Sequence, residues 1–206
     1  EFIDFNPLLN TVVGDSKIRE HSGPTEAVMF SSLIYDTCSM LSHSNRRARL
    51  FTILRHPVDR IISMQEGLKA SKERSWIQLS QSNYMIRMLT DTHVQSDLTQ
   101  SHLDMAKQIL EHYCVIGLYS DLHTSLAKFD SYFHWLKNGN STVRDFYIEC
   151  QKQVIDKAIL NSTSSIASND NMNLANRKEI RDQNLWDIQL YEFAQEIFHR
   201  QPKKKC

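Results

Sequence analysis

The feature that most constrains this chain is a short β-prone run that stops at a proline. Leu50-Phe51-Thr52-Ile53-Leu54 carries no charge and no turn former, and Arg55-His56-Pro57 follows it directly. Proline has no N–H to give a sheet or a helix interior, but its fixed φ suits the first turn of a helix. Val58, Ile61, Ile62 and Gln65 then recur at helical spacing. Residues 50–66 are therefore expected to run strand, tight turn, helix.

The same alternation extends along the chain. Thr11-Val12-Val13 reads as a short strand ending at Gly14. From Pro24, the residues Ala27, Phe30, Ile34, Cys38 and Leu41 line one face of a helix. Residues 67–82 are polar and expected as a loop, and Asn83–Thr90 as a short helix. Leu103, Ala106, Leu110 and Tyr113 mark an amphipathic helix. Cys114–Leu118 is a second buried-strand candidate. Ser120 is a candidate cap for a helix with face Leu122, Leu126, Phe129, Phe133 and Leu136, ending at Gly139. Residues 161–173 are rich in Asn, Ser, Thr and Asp and are expected as a loop. A last helix carries Trp186, Leu190, Phe193, Ala194 and Ile197. No internal repeat is visible. Strands separated by helices predict one α/β domain with a parallel sheet over residues 1–200, followed by a basic tail at 201–206. In such sheets ligands bind beyond the carboxyl ends of the strands.

Composition narrows the function classes. The 206 residues are 41% apolar and 23% charged, with 24 basic and 24 acidic residues. A balanced charge argues against nucleic acid as partner, since that binding runs on a basic excess. No run approaches the length of a membrane span, and no signal peptide stands at Glu1–Asn10. The charge is nonetheless uneven: Glu1–Ser42 holds six acids and two bases, while His43–Arg60 holds five arginines and one acid. Such a cluster points to a local anion. Cys38, Cys114, Cys150 and Cys206 lack zinc-ligand spacing and read equally as free thiols or one disulfide. Asn140-Ser141-Thr142 and Asn161-Ser162-Thr163 are glycosylation sequons.

The turn after the first strand carries the chemistry. Arg55 would leave the sheet at its rim, and Ser63 would lie two turns into the following helix. A guanidinium, a hydroxyl and nearby helix-end N–H groups together suit a phosphate. Arginine suits it better than lysine because its planar fork grips two oxygens. The alternative is a surface arginine and a helix serine with no ligand.

Leu54-Arg55-His56-Pro57-Val58-Asp59-Arg60-Ile61-Ile62-Ser63 resembles the 3′-phosphate motif of sulfotransferases that use 3′-phosphoadenosine 5′-phosphosulfate (PAPS). That pattern is Arg, an acid, Pro, two variable residues, Arg, two variable residues, Ser. Asn83-Tyr84-Met85-Ile86-Arg87-Met88-Leu89, Ala106-Lys107, Ile116-Gly117-Leu118 and Asp187-Ile188-Gln189-Leu190-Tyr191 are similar, in order, to segments of the heparan sulfate 6-O-sulfotransferases. The resemblance runs from about residue 20 to residue 200. It implies a P-loop-NTPase-like sulfotransferase fold, a parallel sheet flanked by helices. It also implies transfer of a sulfuryl group from PAPS to a glycan hydroxyl without a metal, in the Golgi lumen, with a membrane anchor outside this segment.

Carried over residue by residue, Arg55 and Ser63 would hold the cofactor 3′-phosphate. His21 in His21-Ser22-Gly23-Pro24-Thr25-Glu26 matches the general base, as an imidazole suits proton removal from a sugar hydroxyl. Trp76 matches an acceptor-side aromatic. Thr163 and Ser164 match a loop that closes over the nucleotide, and a glycan is then expected on Asn140 rather than Asn161. Arg87 is expected to bond a backbone or acidic group inside the fold. Two departures stand out. His56 replaces the acid of the motif, and Gly14-Asp15-Ser16-Lys17 lacks the glycine spacing of the family's 5′-phosphosulfate loop. The chain is accordingly expected to be truncated before Glu1. The alternatives are a non-catalytic module that binds a nucleotide or a sulfated glycan, and a structural α/β domain whose arginines meet an acidic protein.

Overall fold

Leu50–Leu54 forms β1 and Cys114–Leu118 forms β2. They pair in parallel, with Leu50 opposite Cys114 and Leu54 opposite Leu118. The computed structural model describes residues 50–70, 82–134, 141–169 and 174–201, with backbone only at 66–70, 143, 161–169 and 174–175. A parallel pair needs a long crossover. Here it is supplied by α1 (Pro57–Ala70), α2 (Tyr84–Thr90) and α3 (Gln100–Tyr113). After β2 come a 3₁₀ turn at Tyr119–Asp121, α4 (Leu122–Phe133), α5 (Ser141–Asn169), α6 (Leu174–Asp182) and α7 (Leu185–Arg200). The described fold is α/β, mostly helical around a two-stranded parallel sheet. The predicted strand at Thr11–Val13 and helix from Pro24 lie outside the described residues.

Helix α4 packs on the strand pair. Phe51 sits 5.1 Å from Phe129 and 5.4 Å from Phe133, centroid to centroid. Gly117 permits that approach: a Cβ there would stand 2.7 Å from Phe129 Cζ and 3.0 Å from Ser125 Cβ. Helices α3 and α7 pack on each other and on β2. The edge of β2 away from β1 is closed by side chains. Gln201 accepts from Ile116 N–H at 3.0 Å and donates to the Cys114 carbonyl at 2.9 Å. Ser125 Oγ accepts from Leu118 N–H at 2.8 Å. An edge satisfied in this way offers fewer free groups to another strand.

A reciprocal cap joins α2 to α7. Asn83 takes the left-handed backbone region, φ 54°, a conformation asparagine tolerates better than most residues. Its side-chain oxygen accepts from Trp186 N–H at 3.0 Å and Asp187 N–H at 3.2 Å, in the first turn of α7. Asp187 in return accepts from Met85 N–H at 2.9 Å and Ile86 N–H at 3.0 Å, in the first turn of α2. Asn184 completes the joint by accepting from Asn83 N–H at 2.8 Å. Four donors that helix starts leave open thus find acceptors across the chain. Asp187 is fully buried. Burial pushes its carboxyl up from the ordinary range, while the two N–H groups and the Arg60 charge pull it down.

Several boundaries differ from expectation. Helix α1 runs to Ala70, into residues predicted as loop. Helix α4 is capped by Asp121, whose Oδ1 accepts from Thr124 N–H at 3.1 Å, rather than by Ser120. The 3₁₀ turn consumes Ser120, and aspartate one residue on has equal capping strength. Residues 161–169 are helical, the end of α5, not a loop. From Ser141 to Gln201 there is no glycine or proline. Asn, Ser and Thr cost only tenths of a kcal/mol each mid-helix, about 0.7 at most, so they do not stop it. Helix α7 buries Asp187, Ile188, Leu190, Tyr191, Ala194, Ile197 and Phe198, while Trp186 and Phe193 are only half-buried.

Two substitutions check this construction by urea unfolding. Gly117→Ala is expected to cost about 1–3 kcal/mol through overpacking against Phe129. Asp187→Ala is expected to cost about 2–5 kcal/mol, because it leaves two buried N–H groups without acceptors. A loss below about 0.5 kcal/mol, the level of an inert surface change, would show that the cap does not hold the two helices.

Candidate anion-binding site

The parallel register decides what surrounds Arg55. Because Leu54 and Leu118 are partners, the residues that follow them emerge side by side at the carboxyl rim. The Arg55 guanidinium lies over the Tyr119 ring, 4.7 Å from its centroid. An arginine resting on an aromatic face keeps its fork ordered and its donors at the ring edge free. Among the described residues Arg55 forms no ion pair. Tyr119 has no counterpart in the sequence-predicted site. Finding it requires the strand register, which neither strand encodes alone.

Pro57 opens α1, and the N–H of Arg60 donates to the His56 carbonyl at 2.9 Å to close its first turn. Asp59 pairs with Arg177 of α6 at 3.2 Å, in a partly exposed geometry where an ion pair contributes little. Ser63 stands one turn beyond Asp59 on the same helix face and is half-buried. Arg55 and Ser63 are thus held by one strand–turn–helix unit, as the motif spacing predicts. His21 and Trp76 lie outside the described residues, as does Asn140. Thr163 and Ser164 fall within α5, so the loop expected to close over a nucleotide is helical at that point.

The arginine cluster divides. Arg60 is 1% exposed, with its guanidinium 5.1 Å from the Tyr84 ring centroid. Its charge serves Asp187 inside the fold. Arg87 is also structural: it donates to the carbonyls of Ser82 at 3.2 Å, His93 at 2.7 Å and Ser96 at 2.9 Å. Arg55 is the arginine of the motif that stands at the rim, half-buried over Tyr119.

His56 is half-buried, with its ring edge-on to Tyr191 of α7 at 5.4 Å and 81°. Its Nδ1 is buried and has no hydrogen-bond partner among the described residues. Burial holds its pKa below the ordinary 6.5. Arg177 and Arg181 push the same way, and Asp59 and Glu192 oppose them. Comparison with family models, curated proteins and solved structures gives no match for this chain.

The His56 shift has a sign that thermal unfolding reads. A histidine that holds its proton less tightly when folded contributes fully above the unfolded pKa and costs stability as pH falls below it. The wild type is expected to lose melting temperature between about pH 7.5 and about pH 5.5, and His56→Gln to lose less over the same interval. Equal losses in both proteins would remove His56 as the group responsible.

Proposed function

We propose that this chain is a PAPS-dependent carbohydrate sulfotransferase, or the part of one that holds the 3′-phosphate, with a heparan sulfate 6-O-like acceptor. The observation that carries the reading is Arg55. It is a half-buried arginine at the carboxyl rim of a parallel sheet, braced by Tyr119, with Ser63 on the helix that Pro57 opens. Together with the ordered motifs of the sequence, that geometry supports a P-loop-NTPase-like sulfotransferase fold. A bound 3′-phosphate would take charge-assisted hydrogen bonds from the Arg55 fork and one from the Ser63 hydroxyl.

PAPS supplies the activated sulfuryl group. The acceptor hydroxyl oxygen forms the new bond to sulfur, and the bond from sulfur to the 5′-phosphate oxygen breaks. His21 takes the hydroxyl proton, and adenosine 3′,5′-bisphosphate leaves. Charge on the leaving nucleotide is stabilised by positioned cations, as in phosphoryl transfer. Trp76 offers an aromatic face for the acceptor sugar. Thr163 and Ser164 are proposed nucleotide contacts from the resemblance alone. The proposed setting is the Golgi lumen, behind a membrane anchor outside this segment. A second reading, a non-catalytic module for a nucleotide or sulfated glycan, draws support from His56 standing where the motif has an acid.

Two measurements separate these readings. Arg55→Ala is expected to weaken binding of adenosine 3′,5′-bisphosphate by roughly 10- to 150-fold in calorimetry, the loss of one charged hydrogen-bonding group. Tyr119→Leu should weaken it less. Transfer from labelled PAPS to a panel of polysaccharides should fall about 10²- to 10⁴-fold in His21→Ala, the usual contribution of a general base. Nucleotide binding without transfer to any polysaccharide would select the binding module. Equal affinity in Arg55→Ala and wild type would reject both.

A further inference from the structure

We propose, independently of the anion site, that α5 is a strap latched by one carboxylate: Asp130 of α4 docks it, and α5 undocks as a unit when that latch lets go, while the strand pair and its covering helices stay folded.

The first ground is what α5 does not bury. Helix α7 buries seven side chains within 16 residues. Helix α5 is 29 residues long, and none of its described side chains is buried. Phe146 is 71% exposed and Leu160 64%, with Ile148, Val154 and Ile159 also open to solvent. A helix in a protein draws most of its stability from packing an apolar face. In α5 the half-buried side, which carries the contacts to α4, holds only Tyr147, Cys150, Gln151, Ile155 and Ala158. An element with few buried apolar contacts opens at a lower free energy than the core it rests on.

The second ground is the latch. Each oxygen of the Asp130 carboxylate takes one donor from α5: Oδ1 from the Tyr147 hydroxyl at 2.6 Å, and Oδ2 from the Gln151 side-chain amide at 2.9 Å. The two donors are four residues apart, so they stand on one face of the helix. A hydroxyl at 2.6 Å has the length of a charge-assisted bond to an ionised acceptor. Burial and the Asp130 carboxylate push the Tyr147 hydroxyl above its ordinary pKa, which keeps it a donor. The third ground is where Asp130 stands. It lies in the last turn of α4, the negative end of that helix, where a carboxylate is disfavoured unless donors reach it from outside. The donors of α5 meet that need, and because both end on one side chain they are lost together.

Hydrogen exchange of the whole chain, read by mass spectrometry, tests the latch. Asp130→Ala should speed exchange of the amides of residues 145–160 roughly 10- to 100-fold, the loss of hydrogen bonds to a charged group, and leave β2 and α7 unchanged. Tyr147→Phe removes one bond at nearly constant volume and should speed them by a smaller factor, without threatening the fold. A strap that swings away still helical keeps its amides protected, so thiol labelling of Cys150 is read alongside. Cys150 is free and half-buried on the docked side, three residues from Tyr147, and should label faster in both variants, with buried Cys114 as the internal reference. Faster exchange or faster Cys150 labelling in α5 alone supports the latch. No change in either readout in either variant overturns it. Quickening of β2 and α7 in step with α5 also overturns it, because Asp130 would then hold the whole fold and not a strap.

Discussion

Two helices of this fold begin at one buried point, and the carboxylate of Asp187 lies there with them. Each helix start carries roughly half a positive charge, so two starts brought together repel unless something negative intervenes. Asp187 accepts from the first turn of α2 while standing in the first turn of α7, and Asn83 makes the converse bond. The partners are 101 to 104 residues apart in sequence, so the joint closes the chain over half its length. Arg60 adds the positive counterpart from α1 and rests against Tyr84, the first residue of α2. Three helices therefore meet on a polar cluster sealed from water. A buried set of helix-start hydrogen bonds of that kind favours one arrangement over others, because any misalignment leaves a desolvated polar group behind.

That joint has a direct bearing on the rim. Helix α1 carries Ser63, and its start is set by β1 on one side and by Arg60 on the other. The apolar contacts of Val58, Ile61 and Ile62 with Ile180 of α6 fix its remaining face. The strand pair fixes Arg55 against Tyr119. Arg55 thus leaves a fixed strand and Ser63 stands on a fixed helix. Pre-set donors need little reorganisation when charge arrives.

Local pattern is strong where an element is bounded by its own residues. The run from Leu50 to Leu54 with Pro57 behind it, the run from Cys114 to Leu118, and the helical spacing of Leu103, Ala106 and Leu110 all form the elements that pattern predicts. It fails where no residue enforces a stop. Residues 161–169 look loop-like by composition, yet no breaker interrupts α5 there. It fails differently at α7. The face expected there, Trp186, Leu190, Phe193, Ala194 and Ile197, leaves Asp187 out, and its burial accompanies the two N–H groups of α2 that it accepts from. In the candidate site, Arg55 and Ser63 were legible because motif spacing is local. Tyr119 and the ring of charges about His56 were not, because register and tertiary approach bring them there.

The arginine cluster shows why a count of charges overstates a binding site. Arg55 and Arg60 share one motif and one turn of chain, yet their surroundings differ. Arg60 is buried beside Ile61 in α1, and its guanidinium lies against the Tyr84 ring, where its charge lowers the Asp187 pKa. Arg55 precedes the helix at the rim and meets an aromatic ring in place of an acid. A guanidinium buried to 1% exposure inside the fold is not placed to meet a ligand at the surface. Of the two, Arg55 is the one that stands at the rim, over Tyr119.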